Sequence, residues 1–474
     1  MERNKLKKIF VFILLAYVVM AVSFFFLAGD QLKYKDSSKN IIMMDADSVT
    51  DEIVRGVIVE QKFINKVDKI ESVAIVFTKF YRQGEGKLTV ALFDGSHMLA
   101  RKTTDLQDVP EQHRFFLEPY ESSENLAGKE LTLRIYSTAA EGKGAAVMMN
   151  RDGAPSGSVI KIGDKTIKGT LCFSVTGADI IVLYQYYWWI VAGIGILLGI
   201  FLYISYTRYI SGKISYLPMA INAVDRYSFL ISQLVVRDFK SKYKRSILGV
   251  LWSFLNPLLT MIVQFLVFST FFKADTKNYP VYLLSGVVCF NFFKETSDMC
   301  LISISGNANL INKVYIPKYI FPLARTISSM INLGLSLIPL LLVSLIMGIA
   351  LHRSVFLMFY FLACLIVFSL GIGMLLSALM VFFRDIQFLW SVIIQIWQYA
   401  TPIFYPAEII PAKYKFVVQL NPLYHFIGNL RKCLIDGISP EPLAYLYCFV
   451  FAFGMLVIGA FVFKKTQDKF TLYL

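Results

Sequence analysis

Residues Arg237 to Leu259 read RDFKSKYKRSILGVLWSFLNPLL, five basic residues that run without a break into a long apolar segment. At helical spacing Leu234, Val235, Phe239 and Tyr243 share one face, while Arg237, Lys240 and Lys244 fall opposite. That is the pattern of a helix lying at an anionic membrane surface, with residues from Ile247 onward entering the lipid.

The rest of the chain agrees with a membrane setting. Of 474 residues 56% are hydrophobic and 15% aromatic, and the apolar residues gather in blocks too long for a soluble core. About eight spans are expected: Ile9 to Leu27, Ile180 to Ile204, Leu248 to Phe271, Val281 to Ile304, Ile320 to Leu351, Val355 to Phe383, Phe388 to Phe404, and Leu443 to Phe463. No A-x-A site follows the first run at Leu27 and Ala28, so it reads as an uncleaved anchor rather than a signal peptide.

The net charge of +14 is unevenly spread. Gly29 to Ile180 hold 20 basic and 22 acidic residues, leaving the remainder with 27 of the 47 basic and 11 of the 33 acidic ones. The excess hugs the spans. Lys5, Lys7 and Lys8 precede the first; Arg208 and Lys213 follow the second; Lys313 and Lys318 lie between the fourth and fifth; Lys464 and Lys465 follow the last. The positive-inside rule puts these flanks and both termini in the cytoplasm and Gly29 to Ile180 outside, for a multi-pass protein of a bacterial cytoplasmic membrane. A basic membrane flank explains the charge without a nucleic-acid partner, for which no motif is present.

The segmentation is therefore a first anchor (1–28), an extracytoplasmic β-rich domain (29–180), a second membrane helix (181–205), a cytoplasmic linker (206–222), the amphipathic interfacial helix (223–246), and a six-span core (247–474). In the outside region Leu88, Val90 and Leu92 alternate with other residues, as do Leu131, Leu133 and Ile135, and Leu171, Phe173 and Val175. Asp94 and Gly95 between GKLTVALF and SHMLARKT signal a hairpin, and a β-sandwich is the expected class. Cys172 is the sole cysteine there, so no disulfide can form within the domain. The other five cysteines read as small apolar residues of membrane helices. Pro218 marks a break before the interfacial helix.

Four further signals follow in order. NANLINKVYIPKYIFPLAR, between the fourth and fifth spans, is polar and basic and then broken by Pro317 and Pro322, as suits a short helix docking on a soluble partner. Arg384 and Asp385 form a structural charge pair at a span boundary. WQYATPIFYP carries Pro402 and Pro406 inside an apolar stretch, implying a span that breaks before it crosses, its irregular backbone shielded by protein. LNPLYHFIGNLRKCLIDG has Pro422 opening a helix and Arg431 and Lys432 near its end, an interfacial or re-entrant helix.

Taken together these residues resemble the permease subunit of ABC-2 transporters, specifically the exporters of polysaccharides and polyol phosphates such as O-antigen, capsule and teichoic acid. RDFKSKYKRSILGVLWSFLNPL looks like that family's interfacial helix and first core span, NKVYIPKYIFPLA its coupling loop, FRDIQFLW with TPIFYP its fifth core span, and NPLYHFIGNLR the segment before the last. The resemblance covers about Leu217 to Leu474; the extra span pair and outside β-domain depart from it. It implies a homodimer of permeases with two copies of a separate nucleotide-binding ATPase, which carries ATP and Mg. The chain itself holds no G-x-x-x-x-G-K-[ST] phosphate loop and no cofactor is expected in it.

On this reading Arg237, Lys242, Lys244 and Arg245 hold the diphosphate of a lipid-linked glycan at the headgroup level. Trp252, Asn256, Trp397, Tyr399, Phe404 and Tyr405 line the translocation pathway, where aromatic faces bind sugars without fixing a register. Asn309, Lys313, Tyr315, Pro317 and Lys318 couple to the ATPase, and no residue is catalytic or holds a metal. Charge reversal at Lys244 with Arg245 is expected to lower export at unchanged membrane insertion, checked by surface glycan per inserted protein. Disrupting Tyr315 to Lys318 is expected to leave ATP hydrolysis running without transport, measured as the ratio of the two rates. Phe80, Tyr81, Phe115, Phe116 and Tyr120 are candidates for a glycan contact in the outside domain, against a cap or dimer contact. The competing classes are an ABC-2 exporter of a drug or small lipid, a membrane-anchored glycan-binding receptor, and a glycosyltransferase built on the D-x-D at Asp45 and Asp47.

Overall fold

A computed structural model describes residues 3–42, 46–119, 125–152, 158–212, 215–243, 248–272, 278–314, 316–350 and 352–473. The chain forms two compact units, Lys33–Tyr186 and the remainder, so the insert expected at 29–180 is 33–186.

The insert is all β: β1 (Tyr34–Ile42), β2 (Ser48–Val49), β3 (Ile58–Ile64), β4 (Lys69–Thr78), β5 (Lys87–Asp94), β6 (His97–Asp105), β7 (Arg114–Leu117), β8 (Glu130–Ser137), β9 (Ala146–Asn150), β10 (Val159–Ile162), β11 (Lys165–Lys168), β12 (Thr170–Leu171) and β13 (Phe173–Ile180). One sheet runs β1-β13-β4-β9-β12 with β2 on β9 and β7 on β4; the other runs β11-β10-β3-β8-β5-β6. Alternation set this architecture. Leu131, Leu133 and Ile135 from one sheet and Val73, Ile75, Phe77 and Phe173 from the other share a single buried core. Tyr34 pairs with Ile180, so the first and last strands are neighbours and the insert's two ends meet. In the hairpin Asp94 pairs with His97, which makes Gly95 and Ser96 the turn. Gly95 takes φ +60° at the first central position, one residue later than the Asp94-Gly95 signal implied.

Asp47 is bonded into this fold. Its carboxylate accepts the backbone N–H groups of Arg151 and Asp152 and the Ser48 hydroxyl. These donors hold its pKa below the usual carboxylate value, the Asp152 N–H most of all. Asp45 lies outside the described residues, and no cluster of metal-binding side chains occurs among those described.

The second unit is helical: α1 (Arg3–Ala28), α2 (Tyr187–Ile210), α3 (Tyr216–Tyr243), α4 (Leu251–Phe272), α5 (Tyr279–Leu301), α6 (Ala308–Lys313), α7 (Ile320–Ile346), α8 (Met358–Phe382), α9 (Ile386–Ala400), α10 (Ala412–Gln419), α11 (Pro422–Arg431) and α12 (Pro442–Thr466). Among the described residues six helices are long and apolar enough by length and composition to cross a membrane, where about eight spans were expected. They are α1, α2, α4, α7, α8 with the turn before it, and α12. The expected span Val281 to Ile304 is α5, 23 residues long and mostly buried, with Lys294, Glu295 and Asp298 in its last turns. These charges sit on the face its neighbours leave open, Lys294 and Asp298 exposed and Glu295 half-buried against Lys242 and Asn332. The expected span Phe388 to Phe404 is the 15-residue α9 followed by irregular chain. At about 1.5 Å per residue α9 falls short of the ~30 Å hydrocarbon core.

One further correction and one new contact concern local chemistry. Pro218 does not precede the interfacial helix but sits in its first turn, where the missing N–H costs nothing; the linker is correspondingly shorter than 206–222. Pairing of α1 with α2 uses tyrosines, the Tyr17 hydroxyl donating to Val191 O at 2.8 Å and that of Tyr187 to Ala21 O at 2.6 Å.

The tightest helix crossing is α8 on α12. A Cβ on Gly371 would lie 2.6 Å from Leu456 N, and one on Gly459 would collide with Gly371 O. Small residues let the two backbones touch, which substitutes for a hydrophobic driving force within lipid. Gly459→Leu is expected to lower the melting temperature in detergent, at a cost of about 1–3 kcal/mol for the forced separation.

Candidate functional site

The basic helix α3 buries one face, and that face carries a charge. Ile231, Leu234 and Val235 are buried, and Asp238 follows them on the same stripe with its side chain only 5% exposed. Arg325 of α7 meets it, Nη1 at 2.8 Å from Oδ2, an ion pair whose N–H is not aligned on the oxygen. Arg237 donates Nε and Nη2 to Asp238 Oδ1 at 3.3 and 3.2 Å and Nη1 to Asn307 Oδ1 at 3.1 Å. Asn307 in turn donates to Ser303 O and stands immediately before α6. One turn further along α3, Lys242 Nζ donates to Glu295 Oε1 at 2.7 Å, which also accepts Asn332 Nδ2 at 2.6 Å. These groups line a cleft of about 580 Å³ whose cations are Arg237, Lys242 and Arg325.

Of the residues expected to hold a diphosphate, Arg237 and Lys242 therefore meet in one cleft, each engaged by an acid. Lys244 and Arg245 lie outside the described residues, as does Tyr315. Asp238 and Arg325 were missed. The available signal was a carboxylate at i+4 from Leu234 and i+7 from Ile231, on the apolar stripe of an otherwise basic helix.

In the coupling segment Asn309 and Lys313 are exposed on α6 while Ile311 packs inward. Pro317 opens a turn whose carbonyl accepts Ile320 N, and Lys318 Nζ donates to Gln467 O at 2.6 Å beside the Phe470 ring. Arg384 and Asp385 do not form the expected pair. Both are exposed, no hydrogen bond or ion pair joins them, and Asp385 instead stands at the start of α9, its carbonyl accepting Phe388 N and Leu389 N.

The pathway residues divide. Trp252, 45% exposed, and Asn256 lie on the open face of α4, and Tyr399 is 60% exposed. Phe404 does not belong with them: it is 4% exposed and stacks on Phe268 at 5.1 Å. Trp397 is also spent on packing, against Phe293 and Phe368, with its indole N–H donated to Asn421 Oδ1 at 2.9 Å. Tyr405 donates its hydroxyl to Tyr399 O.

The break after α9 is held by a dense set of polar contacts. Four consecutive carbonyls there have side-chain donors: Pro402 O from Arg431 Nη1 at 2.7 Å, Ile403 O from Arg431 Nη2 at 3.1 Å, Phe404 O from the Tyr279 hydroxyl at 2.6 Å, and Tyr405 O from that of Tyr282 at 2.9 Å. Arg431 is 7% exposed; it also donates to Ser285 Oγ and Tyr282 O, and its guanidinium lies 3.4 Å from the Tyr282 ring centre. Gly286 leaves the space, since a Cβ there would sit 2.6 Å from Arg431 Nη2. Asn421 caps α11 by accepting Leu423 N and donates to Thr401 Oγ1, so the chain before and after the break is tied together. A helix interrupted at membrane depth survives only when its freed carbonyls are satisfied in this way.

A basic amphipathic helix, an exposed short helix after α5, and a short apolar helix ended by a proline break are the features of a polytopic transport permease. The profile of the ABC-2 type transporter family matches residues 230–435, and the chain belongs to that family. The O-antigen export system permease protein RfbA of Klebsiella pneumoniae is 30% identical over 260 residues, 53% of this chain and 98% of that protein. RfbA of Myxococcus xanthus is 27% identical over 251 residues, 52% and 95% of the two. The polysialic acid transport protein KpsM of Escherichia coli is 22% identical over 253 residues, 53% and 98%. The β-rich insert lies wholly before the matched family region.

Proposed function

We propose that this chain is the permease subunit of an ABC exporter that carries a surface polysaccharide, presented as a lipid-linked glycan, across the cytoplasmic membrane. Two copies work with two separate ATPase subunits, which hold ATP and Mg. The observation that carries this is the Arg237–Asn307 bond in the cationic cleft: it ties the headgroup-level basic helix directly to the segment that leads into exposed α6. An anionic diphosphate entering the cleft competes with Asp238 and Glu295 for Arg237 and Lys242, and releasing those contacts loosens α3 from α5, α7 and the Asn307 turn. Nucleotide-driven movement of α6 acts on the same network from its other side. The termini and α6 then face the cytoplasm and the β-unit faces out.

The test is deletion of the gene with quantification of surface polysaccharide and of lipid-linked glycan retained inside. The reading expects loss of the first and build-up of the second, restored by the wild-type chain together with its ATPase. An unchanged surface, or efflux of a small drug instead, rejects it.

A further inference from the structure

Beyond the export reading, and resting on it for which side the β-unit faces, we propose that one end of this unit is a saccharide-binding site formed by loops 79–82 and 111–114. The starting observation is backbone strain. Phe80 and Tyr81 lie consecutively in the left-handed region at φ 55° and 59°, and Gln112 does so at φ 50°. Bulky side chains rarely adopt this region, and where they do the surroundings must enforce it.

Those surroundings are explicit. Glu111 accepts the Thr78 hydroxyl at 2.6 Å and Lys79 N at 2.7 Å, and Thr78 Oγ1 accepts Phe80 N at 3.1 Å. Gln112 N donates to Phe77 O at 2.9 Å and Arg82 N to Lys79 O at 3.0 Å. One carboxylate thus clamps both strained loops together at the end of β4. Phe80 and Tyr81 are the central residues of a turn closed by that Arg82 N–Lys79 O bond, a place that glycine or asparagine usually fills. Here it holds two rings out to water, Tyr81 83% exposed and Phe80 42% with Arg82 beside it, where a ligand can reach them.

Gln112, His113, Arg114 and Phe116 line an adjoining cleft of about 740 Å³ floored by Val76 and Met148. Phe116, across from Ala74 on β7, is 46% exposed. Flat aromatic faces accept the C–H face of a pyranose, while amide and guanidinium groups donate to hydroxyl or acidic substituents. Glu111 is consumed internally and His113 Nδ1 is bonded to its carbonyl, so Arg114, with Arg82 beside the Phe80 ring, favours a glycan bearing carboxylate or phosphate. The occupant is the exported polymer after it leaves the membrane.

The probe is the surface polysaccharide purified from the cells that carry this gene and freed of lipid, titrated against the full chain in nanodiscs. The Phe80→Gly/Tyr81→Gly double variant, whose glycines suit positive φ, is expected to bind at least tenfold more weakly with a melting temperature no lower than wild type. Arg114→Gln is expected to weaken binding of an acidic polymer likewise, while Lys165→Ala on the other sheet binds as wild type. Equal binding by the glycine variant, or none by the wild type, overturns the site. Binding that needs Phe80 and Tyr81 in a chain dispensable for export supports the site and rejects the export reading alone.

Discussion

Arg431→Leu is expected to prevent the helical unit from accumulating in membranes at more than about a tenth of the wild-type level. The guanidinium supplies bonds to Ser285 Oγ, Tyr282 O, Pro402 O and Ile403 O from a nearly fully buried position. Leucine removes all four bonds: Ile403 O loses its side-chain donor, while Pro402 O keeps the Tyr282 hydroxyl at 3.3 Å and Tyr282 O the Ser285 hydroxyl at 2.9 Å. An orphaned buried acceptor costs about 1–3 kcal/mol. With these donors remaining the loss is about 3 kcal/mol, a large part of the whole stability of a typical domain. Arg431→Lys keeps the charge on a point donor that cannot reach four diverging acceptors, and an intermediate loss is expected. The measurements are membrane abundance and melting temperature after detergent extraction. An Arg431→Leu protein that accumulates and melts like wild type removes the break at Thr401–Tyr405 from the list of features this side chain maintains.

The second large effect is expected from Asp238→Ala, and on export more than on folding. Losing one partner of a buried ion pair costs about 3–5 kcal/mol. Here Arg325 is 18% and Arg237 49% exposed at the side chain. Water reaches both cations, so a cost near 2 kcal/mol is the better figure. The two arginines then repel across the cleft, and Arg237 no longer holds Asn307 in register with α3. Under the proposed function, polysaccharide export falls at least tenfold while ATP hydrolysis by the assembled transporter continues. Adding Arg325→Leu removes the second uncompensated charge and recovers part of the stability without recovering export, a non-additivity that a double-mutant cycle measures. Export and hydrolysis falling together would show that Asp238 holds the fold and does not transmit.

Much of this molecule was legible along the chain because one-dimensional pattern was enough. Apolar blocks mark α1, α2, α4, α7, α8 and α12, since a lipid-facing helix must be apolar over its whole length. Alternation marks Leu131, Leu133 and Ile135, since strand side chains fall on two faces in turn. TPIFYP announces a break because proline cannot donate, and NPLYHF announces a helix start because Asn421 caps it. Lipid contact, alternation and capping are all local, and so is the basic face of α3.

What tertiary structure alone decided is partnership between distant residues. Arg431 reads as a helix-end cation until it is found among the carbonyls of residues 402 and 403. Asp238 reads as one acid among five bases until Arg325 stands 2.8 Å away. Trp397 and Phe404 read as pathway aromatics until Phe293 and Phe268 cover them. Arg384 and Asp385, adjacent in sequence, do not pair at all. Periodicity shows which side of an element is apolar; whether a charge or a ring on it meets water, lipid or a complementary group depends on which other element packs there. That choice is made by the three-dimensional fit of helices far apart in the chain.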